Sequence, residues 1–426
     1  MIPNRPTQTQ ACCSDYVRAT SLSRRRFLGG VAAASTATVS TSLFGQAVRQ
    51  SSFAATTGGN VLVVLSFRGG IDGMGMVVPH GDPGYYKARP KIGIPKTSLL
   101  ATDAMFGLHP QLAPLQWLWD GGEMAAVQAV GMAVPNRSHF VSMELIEDAD
   151  PGSSLRQGWV NRMIGLDGDG SAVDAVHLGD AMPPTLVSGP QPTLASKGLD
   201  LTLSGTANGW GPRRNNQLNM VWSGASGRLG SVARSALEAV GTLAPVAAAK
   251  YAPTVAYPTA QPATDLAAAL EDTAQLIKAD IGTEVVSVDF GSWDMHDGYG
   301  NLGSGDMVSM TGAFAASVNA FMRDLGALRS KVTLVTISEF GRRTVENGNH
   351  GLDHGWGNMM LVMGGGVRGG RYYGNWPGLT TTLDSDLAVT TDYRQVLGEV
   401  VHRRFPDKDV TKVFPGLSYA PLGVMV

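Results

Sequence analysis

The sequence predicts an α/β protein with a central, mostly parallel sheet, and three observations support this prediction. Apolar runs at residues 60–67, 284–290 and 332–337 are typical of strands that are buried on both faces. Segments with helical spacing of apolar residues, such as 265–279 and 303–328, separate these runs along the chain. Glycine and polar residues follow the ends of the strands, where open α/β sheets bind their ligands.

The first 55 residues are predicted to be an export signal and not part of the fold. Ser-Arg-Arg-Arg-Phe-Leu at residues 23–28 precedes an alanine-rich apolar run to about residue 44, and small residues around Ala47 and Ala54 offer cleavage sites. The alternative is a chance arginine pair before a buried helix. The pattern favours a twin-arginine signal peptide, with the twin-arginine translocase as a transient partner and the periplasm, cell surface or medium as the destination.

Composition excludes several classes of function. The chain has 426 residues, a net charge of −2 and 16% charged residues, and it has no basic run beyond the leader, so we expect no nucleic-acid partner. Its two cysteines, Cys12 and Cys13, both lie in the leader. Disulfides, zinc–thiolate sites and cysteine nucleophiles are therefore not expected in the mature protein.

The first strand, at residues 60–67, ends in the sequence Arg-Gly-Gly-Ile-Asp-Gly at 68–73. Glycines on both sides of Asp72 allow a sharp turn that presents its carboxylate at the strand end, as metal-binding aspartates often are. The alternative is a turn aspartate that caps the next segment. A helix from about residue 110 to 119 and a second strand at 123–130 follow.

Directly after the second strand comes Asn-Arg-Ser-His-Phe at residues 136–140, before a predicted helix. Ser138 at the helix start lies near unpaired N–H groups, a position that suits a nucleophile or simply an N-cap. Arg137 beside it could hold two oxygens of a phosphate or sulfate. Farther along, residues 167–262 are rich in Pro, Gly, Ser and Thr, which predicts a loop-rich insertion or small cap.

The strand at 284–290 ends in a turn that carries several potential ligands. Asp294 and His296 lie two residues apart, with Asp289 still on the strand and Asp297 just beyond. These side chains form a compact set of oxygen and nitrogen ligands. The alternative is that His296 only makes hydrogen bonds.

The stretch from 331 to 370 holds two strands with polar chemistry between them. Glu339 follows the strand at 332–337, while Asp353 and His354 precede the strand at 359–363, so these groups can meet at one sheet edge. The alternative is a surface ion pair between Glu339 and Arg342, with His354 only ordering its loop.

Five motifs occur in order over nearly the whole mature chain: Arg-Gly-Gly-Ile-Asp-Gly at 68–73, Asn-Arg-Ser-His-Phe at 136–140, Phe-Gly-Ser-Trp-Asp-Met-His at 290–296, Ser-Glu-Phe-Gly-Arg at 338–342 and Asp-His-Gly at 353–355. With the leader, they resemble the bacterial family called domain of unknown function 1501 (DUF1501), which is similar in fold to the alkaline phosphatase and sulfatase superfamily. The resemblance implies an alkaline phosphatase-like, three-layer α/β/α domain over residues 56–426.

The resemblance also implies roles for individual residues. One or more divalent metal ions, with Zn, Mg, Ca and Mn all left open, would be held by five residues: Asp72, Asp294, His296, Glu339 and His354. Asp289 is an alternative to Asp294. The nucleophile would be Ser138 or a metal-bound hydroxide, with Arg137 neutralising charge and His139 serving as proton donor or further ligand. Phe340 stands where the superfamily has a histidine, which weakens one of two implied metal sites.

Two functions from different classes follow. The first is an exported metal-dependent hydrolase of phosphate or sulfate esters, acting on a small or polymeric substrate. The second is a catalytically inactive exported module that keeps the fold and one structural metal, and binds or assembles with another exported protein. An oxidoreductase has little support, because glycines 364–366 lack the spacing and the following helix of a dinucleotide site.

Overall fold

The structure is a computed structural model that describes residues 59–167, 171–179, 181–189, 191–199 and 211–426. The predicted signal peptide, residues 1–55, lies outside the described residues. Within these ranges, no helix is both long enough and apolar enough to span a bilayer.

A nine-stranded sheet organises the chain. The described strands are β1 Val61–Arg68, β2 Val77–Val78, β3 Gly107–Leu108, β4 Met124–Gly131, β5 Ala175–Leu178, β6 Leu194–Ser196, β7 Val285–Gly291, β8 Val332–Ser338, β9 Asn358–Gly364, β10 Arg371–Tyr373 and β11 Thr391–Asp392. The sheet has the order β10-β4-β9-β8-β1-β7-β5-β6, with β11 also paired to β4, while β2 and β3 form a separate small ribbon. Among the strands that the structure describes in this sheet, only β9 runs antiparallel to its neighbours, β4 and β8.

Helices cover both faces of this sheet. The described α-helices are α1 Gly73–Met76, α2 Tyr85–Ala88, α3 Gln116–Asp120, α4 His139–Asp148, α5 Trp159–Ile164, α6 Gly211–Trp222, α7 Gly227–Ala248, α8 Thr264–Ala279, α9 Asp306–Asp324, α10 Tyr393–Arg404 and α11 Val410–Val413. Short 3-10 turns lie at Lys96–Ser98, Pro110–Leu115, Gly165–Asp167, Pro184–Leu186 and Gly326–Lys331.

The buried strand β1 separates two apolar cores because its side chains alternate between the faces of the sheet. Val63 and Leu65 face one core, which also contains Phe314 of α9. Leu62 and Val64 face the other core, together with Trp159 of α5. The predicted α/β architecture with a mostly parallel sheet and flanking helices is therefore confirmed.

Within the segment 167–262, predicted as a loop-rich insertion or small cap, the described residues include two short strands and two helices. Strand β5 pairs in parallel with β7, and β6 pairs with β5, so this segment extends the central sheet. Helices α6 and α7 follow as a hairpin. Strands of four and three residues are too short to show a periodic pattern, which is why the sequence did not indicate them.

The topology brings the candidate residues to one edge of the sheet. Strands β1, β7 and β8 are parallel neighbours, so the loops that follow them begin at the same edge. Strand β9 is antiparallel to β8, and the loop before β9 therefore ends there too. Strand β4 runs antiparallel to β9, so α4, which follows β4, starts at this edge as well.

Candidate metal centre

Three imidazoles and one carboxylate converge at this edge, although they come from three separate segments. The Nε2 atom of His354 lies 3.0 Å from Nε2 of His139 and 3.0 Å from Nε2 of His296. It also lies 3.1 Å from Oδ1 of Asp294. His139 is the first residue of α4, Asp294 and His296 follow β7, and His354 precedes β9.

The other ring nitrogen of each histidine faces an oxygen that can only accept a hydrogen bond. Nδ1 of His139 lies 2.9 Å from Oε1 of Glu339, and Nδ1 of His296 lies 2.8 Å from Oδ1 of Asp353. Nδ1 of His354 lies 2.9 Å from the carbonyl oxygen of Arg137. These partners assign the hydrogen to Nδ1 in each ring, so a neutral ring presents its lone pair at Nε2.

This assignment leaves three Nε2 lone pairs and a carboxylate directed at the same small space. Such an arrangement is repulsive on its own and becomes favourable around a cation, and outer hydrogen bonds of this kind commonly orient metal-ligating histidines. One ligand atom each from His139, Asp294 and His354 lies within 4.8 Å of the others. His296 Nε2 adds a fourth donor at 3.1 Å from Asp294 Oδ1. The residues fit a divalent cation that accepts imidazole and carboxylate ligands.

Electrostatics in the metal-free arrangement agree with a site built for positive charge. Burial alone would raise the pKa of Asp294, but hydrogen bonds from His139, His296 and His354, with the charge of Arg342, hold it well below its ordinary value. Burial opposes the charged form of His139, yet hydrogen bonds to Asp294 and Glu339 raise its pKa to about 9. A proton on His139 thus compensates the carboxylates, and a metal cation would take over that role.

Arg342 fixes the loops that carry the centre. Its buried guanidinium donates to Oδ1 of Asp294 at 2.7 Å, to the carbonyl of Trp293 at 3.0 Å and to the carbonyl of Leu352 at 2.9 Å. The surface ion pair between Arg342 and Glu339, which the sequence left open as an alternative, does not occur, since both side chains are buried and Arg342 pairs with Asp294.

Glu339 is an outer partner of the centre in this geometry. It is buried, and its Oε1 atom accepts hydrogen bonds from the backbone N–H of Gly69 at 2.8 Å and from His139. Gly69 has a φ of +108°, and a Cβ there would lie 2.8 Å from the backbone nitrogen of Asp294, so only glycine allows this approach. The ring of Phe340 packs 4.8 Å from the rings of both His139 and His354, forming an apolar wall behind them.

The structure does not bring Asp72 into the group of converging ligand atoms. Its carboxylate is buried and accepts two hydrogen bonds from Arg89, at 2.6 and 2.9 Å, and one from the hydroxyl of Tyr299 at 2.6 Å. Arg89 is itself buried, and the charge of Asp72 helps to raise the pKa of Arg89 against the cost of burial. The buried guanidinium of Arg89 therefore neutralises Asp72 in this structure.

Ser138 and Arg137 lie beside the centre without joining it. Ser138 is exposed at the N-cap position of α4, and its hydroxyl makes no capping hydrogen bond. The carbonyl of Arg137 accepts from His354, while its guanidinium is exposed and pairs with Asp386. Asp289, the alternative to Asp294, pairs with Arg68 at 2.8 Å and is not in the converging group.

Two residues, Asp353 and Arg89, have partners that the sequence did not indicate. Asp353 holds His296 and is itself held by the side-chain amide of Asn347 at 3.1 Å. Its position next to His354 was the available signal. Arg89, the partner of Asp72, had no signal in the sequence, because its role depends on how the loop after β2 folds back.

A family model described as "Protein of unknown function (DUF1501)" matches residues 252–401, a segment that includes Asp294, His296, Glu339 and His354. Residues 252–401 are therefore similar to the DUF1501 family. No curated protein matches the sequence. Among solved structures, the C-terminal periplasmic domain of EcEptC from Escherichia coli, in complex with Zn, matches with 10% identity over 73% of this chain and 75% of that one. The TM-score of that match is 0.32, which is too low to support conclusions about this chain.

Proposed function

We propose that this protein is an exported metal-dependent hydrolase of phosphate or sulfate esters. The observation that carries the proposal is the convergence of three Nε2 atoms and a carboxylate at 3.0–3.1 Å, with every Nδ1 already committed to an acceptor. A fold needs no such repulsive cluster for stability. A divalent cation held there supplies positive charge that neutralises the oxygens of a bound tetrahedral ester.

The ion would be held by His139, Asp294 and His354, with His296 as the adjacent fourth donor. Glu339 and Asp353 keep the imidazoles of His139 and His296 oriented, and the buried Arg342 keeps the Asp294 carboxylate in place. These hydrogen bonds fix the orientation of the ligand side chains, as a catalytic metal centre requires.

Ser138 is our candidate nucleophile because it precedes His139 and its exposed hydroxyl lies at the N-terminus of a ten-residue helix. The positive end of the helix stabilises an alkoxide or a nearby anionic ester. Arg137 is the neighbouring cation that could bind a substrate oxygen, and it would have to loosen its pairing with Asp386 to do so.

A second candidate is the inactive binding or assembly module. It is favoured by two pairings at the sheet edge: Asp72 is neutralised by Arg89, and Arg137 is held by Asp386. Both groups would be expected to serve a hydrolase, and both are already engaged within the chain.

Turnover measurements distinguish these functions. The protein is stripped of metal, reloaded separately with Zn, Mn, Mg or Ca, and tested with aryl phosphate monoesters, aryl phosphate diesters and aryl sulfates. We expect hydrolysis with at least one ion, and its loss in Asp294→Asn. Asp384→Asn, at a 95% exposed side chain, is the matched control and should remain active. A folded, metal-loaded protein without turnover on any ester would support the binding module instead.

Export by the twin-arginine route is a separate part of the proposal, based on the arginines at 24–26 and the apolar run after them. Replacing all three arginines with lysine should leave the protein in the cytoplasm. Unchanged export of that variant would contradict this route.

A further inference from the structure

The hairpin formed by α6 and α7 ends in an exposed apolar tip. Three large side chains there are largely exposed: Met220 at 74%, Val221 at 64% and Leu229 at 60%. Met220 and Val221 lie in the last turn of α6, and Leu229 lies in the first turn of α7. Hydrophobic residues of this size that cluster at an exposed turn usually mark an interaction surface.

The tip has a fixed shape, which argues against a loosely folded end. Leu218 of α6 and Leu237 of α7 are buried against each other, with Trp222 packed beside them. The guanidinium of Arg234 closes the turn by donating to the carbonyl of Ala225 at 2.6 Å and to that of Trp222 at 3.2 Å. The apolar side chains are therefore held outward by a structured turn.

The same hairpin carries a net positive charge in a chain whose net charge is −2. Residues 211–248 contain four arginines, at positions 213, 214, 228 and 234, one glutamate, Glu238, and no aspartate or lysine. Arg213 and Arg214 are exposed and lie seven residues before Met220 and Val221, so they share a face of α6 with them. One surface thus combines cations with apolar side chains about 10 Å farther along the helix.

We propose that this surface, Arg213, Arg214, Met220, Val221 and Leu229, docks the protein onto an anionic lipid membrane. When the hairpin meets a membrane tip first, the apolar side chains enter the layer below the headgroups, while the arginines, about 10 Å back along α6, stay at the level of the headgroups. Cationic side chains are attracted to anionic headgroups, and aliphatic side chains enter the layer below. A protein-binding hot spot would instead be expected to present an exposed aromatic anchor, whereas the three exposed apolar residues of this surface are aliphatic.

Vesicle flotation tests the proposal with the full chain. The probes are vesicles of phosphatidylcholine alone and of phosphatidylcholine mixed with phosphatidylglycerol. We expect binding to the mixed vesicles that weakens with salt, and a loss of at least about tenfold in the triple variant Met220→Glu, Val221→Glu, Leu229→Glu. The double variant Arg213→Gln, Arg214→Gln should lose about tenfold on mixed vesicles.

Leu383→Glu is the matched control, because Leu383 is 80% exposed and lies outside the hairpin. All variants keep the same N-terminal residues. Any contribution of the basic and apolar leader to vesicle binding is therefore the same in each, and it cancels when the binding of a variant is divided by that of the wild type. Circular dichroism verifies that each is folded. Equal binding by the tip variants and the control, or no binding by the wild type, would overturn the proposal. So would wild-type dimers that become monomers in the triple variant, since the surface would then bind a second copy of the chain.

Discussion

The Nε2 atoms of His139 and His354 lie 3.0 Å apart, although the Nδ1 of each ring already faces an oxygen acceptor. Two neutral imidazoles with this tautomer have only lone pairs to direct at each other. A proton can hold them together in the metal-free protein, and a divalent cation can do so more strongly because Asp294 completes the ligand set. The predictions below follow from that relationship and from the contacts around it.

Replacing Glu339 with Gln should weaken metal binding about 10–100-fold without unfolding the protein. The amide of Gln no longer supplies the negative charge that accepts the Nδ1–H of His139. Loss of a hydrogen-bond partner of a metal-ligating histidine commonly lowers metal affinity about 10–100-fold. Metal dissociation constants of the wild type and variant, measured by competition with a chelator, provide the check. Complete loss of binding would show that Glu339 is a direct ligand, contrary to the geometry described here.

Replacing Asp72 with Asn should destabilise the protein by about 3 kcal/mol and leave its metal content unchanged. The substitution leaves Arg89 buried without a charged partner, which is the costly way to break a buried ion pair. Urea unfolding gives the stability change, and elemental analysis of the folded variant gives the metal content. A normal stability together with loss of metal would show that Asp72 acts as a ligand.

Stability should fall in acid partly through Asp324. Burial would raise the pKa of this carboxyl, but contacts from Lys278, Tyr251 and Thr254 outweigh burial and lower the pKa to about 2. Because the folded pKa lies below the unfolded value of about 3.9, this group stabilises the fold by about 2 kcal/mol above pH 4. That contribution is lost as the pH falls from about 4 to about 2.

The check compares urea unfolding near pH 7 and near pH 3 for the wild type, Asp324→Asn and the exposed control Asp384→Asn. The stability gap between wild type and Asp324→Asn should narrow in acid, whereas the control should follow the wild type at both pH values. A gap that stays constant with pH would mean that the pKa of Asp324 is the same in the folded and unfolded protein, contrary to this prediction.

Replacing Ser138 with Ala should abolish turnover while metal binding and stability stay near those of the wild type. The hydroxyl is exposed and makes no capping hydrogen bond, so its removal costs the fold little. Turnover and metal affinity are measured on the same preparation. Full activity in Ser138→Ala would remove this residue as nucleophile and leave the metal centre as the source of catalysis.

Much of the centre was predictable because parallel strands deliver their following loops to one edge. The strand positions placed Glu339 and His354 at one edge, and the resemblance implied that Asp294 joins His354. The structure brings Asp294 and His354 together there. His139 was expected as proton donor or further ligand, and its Nε2 lies in the converging group.

The remainder depends on contacts that no local pattern encodes. Arg89 pairs with Asp72 across three short elements, α1, β2 and α2, and Arg342 reaches loops 49 and 10 residues away in sequence. The sequence did not predict strands β5 and β6, because these strands are short and are recognised by their hydrogen bonds to neighbouring strands, not by a pattern of side chains. Tertiary pairing decides such features, so sequence periodicity could not show them.

Elemental analysis of the purified protein tests the central claim most directly. The comparison is between the wild type and the triple variant His139→Ala, Asp294→Ala, His354→Ala, with His350→Ala as a control at a histidine outside the converging group. The account predicts about one divalent ion per chain in the wild type and the control, and none in the folded triple variant. A folded wild type that binds no divalent ion, even when supplied with Zn, Mn, Mg or Ca, would contradict it.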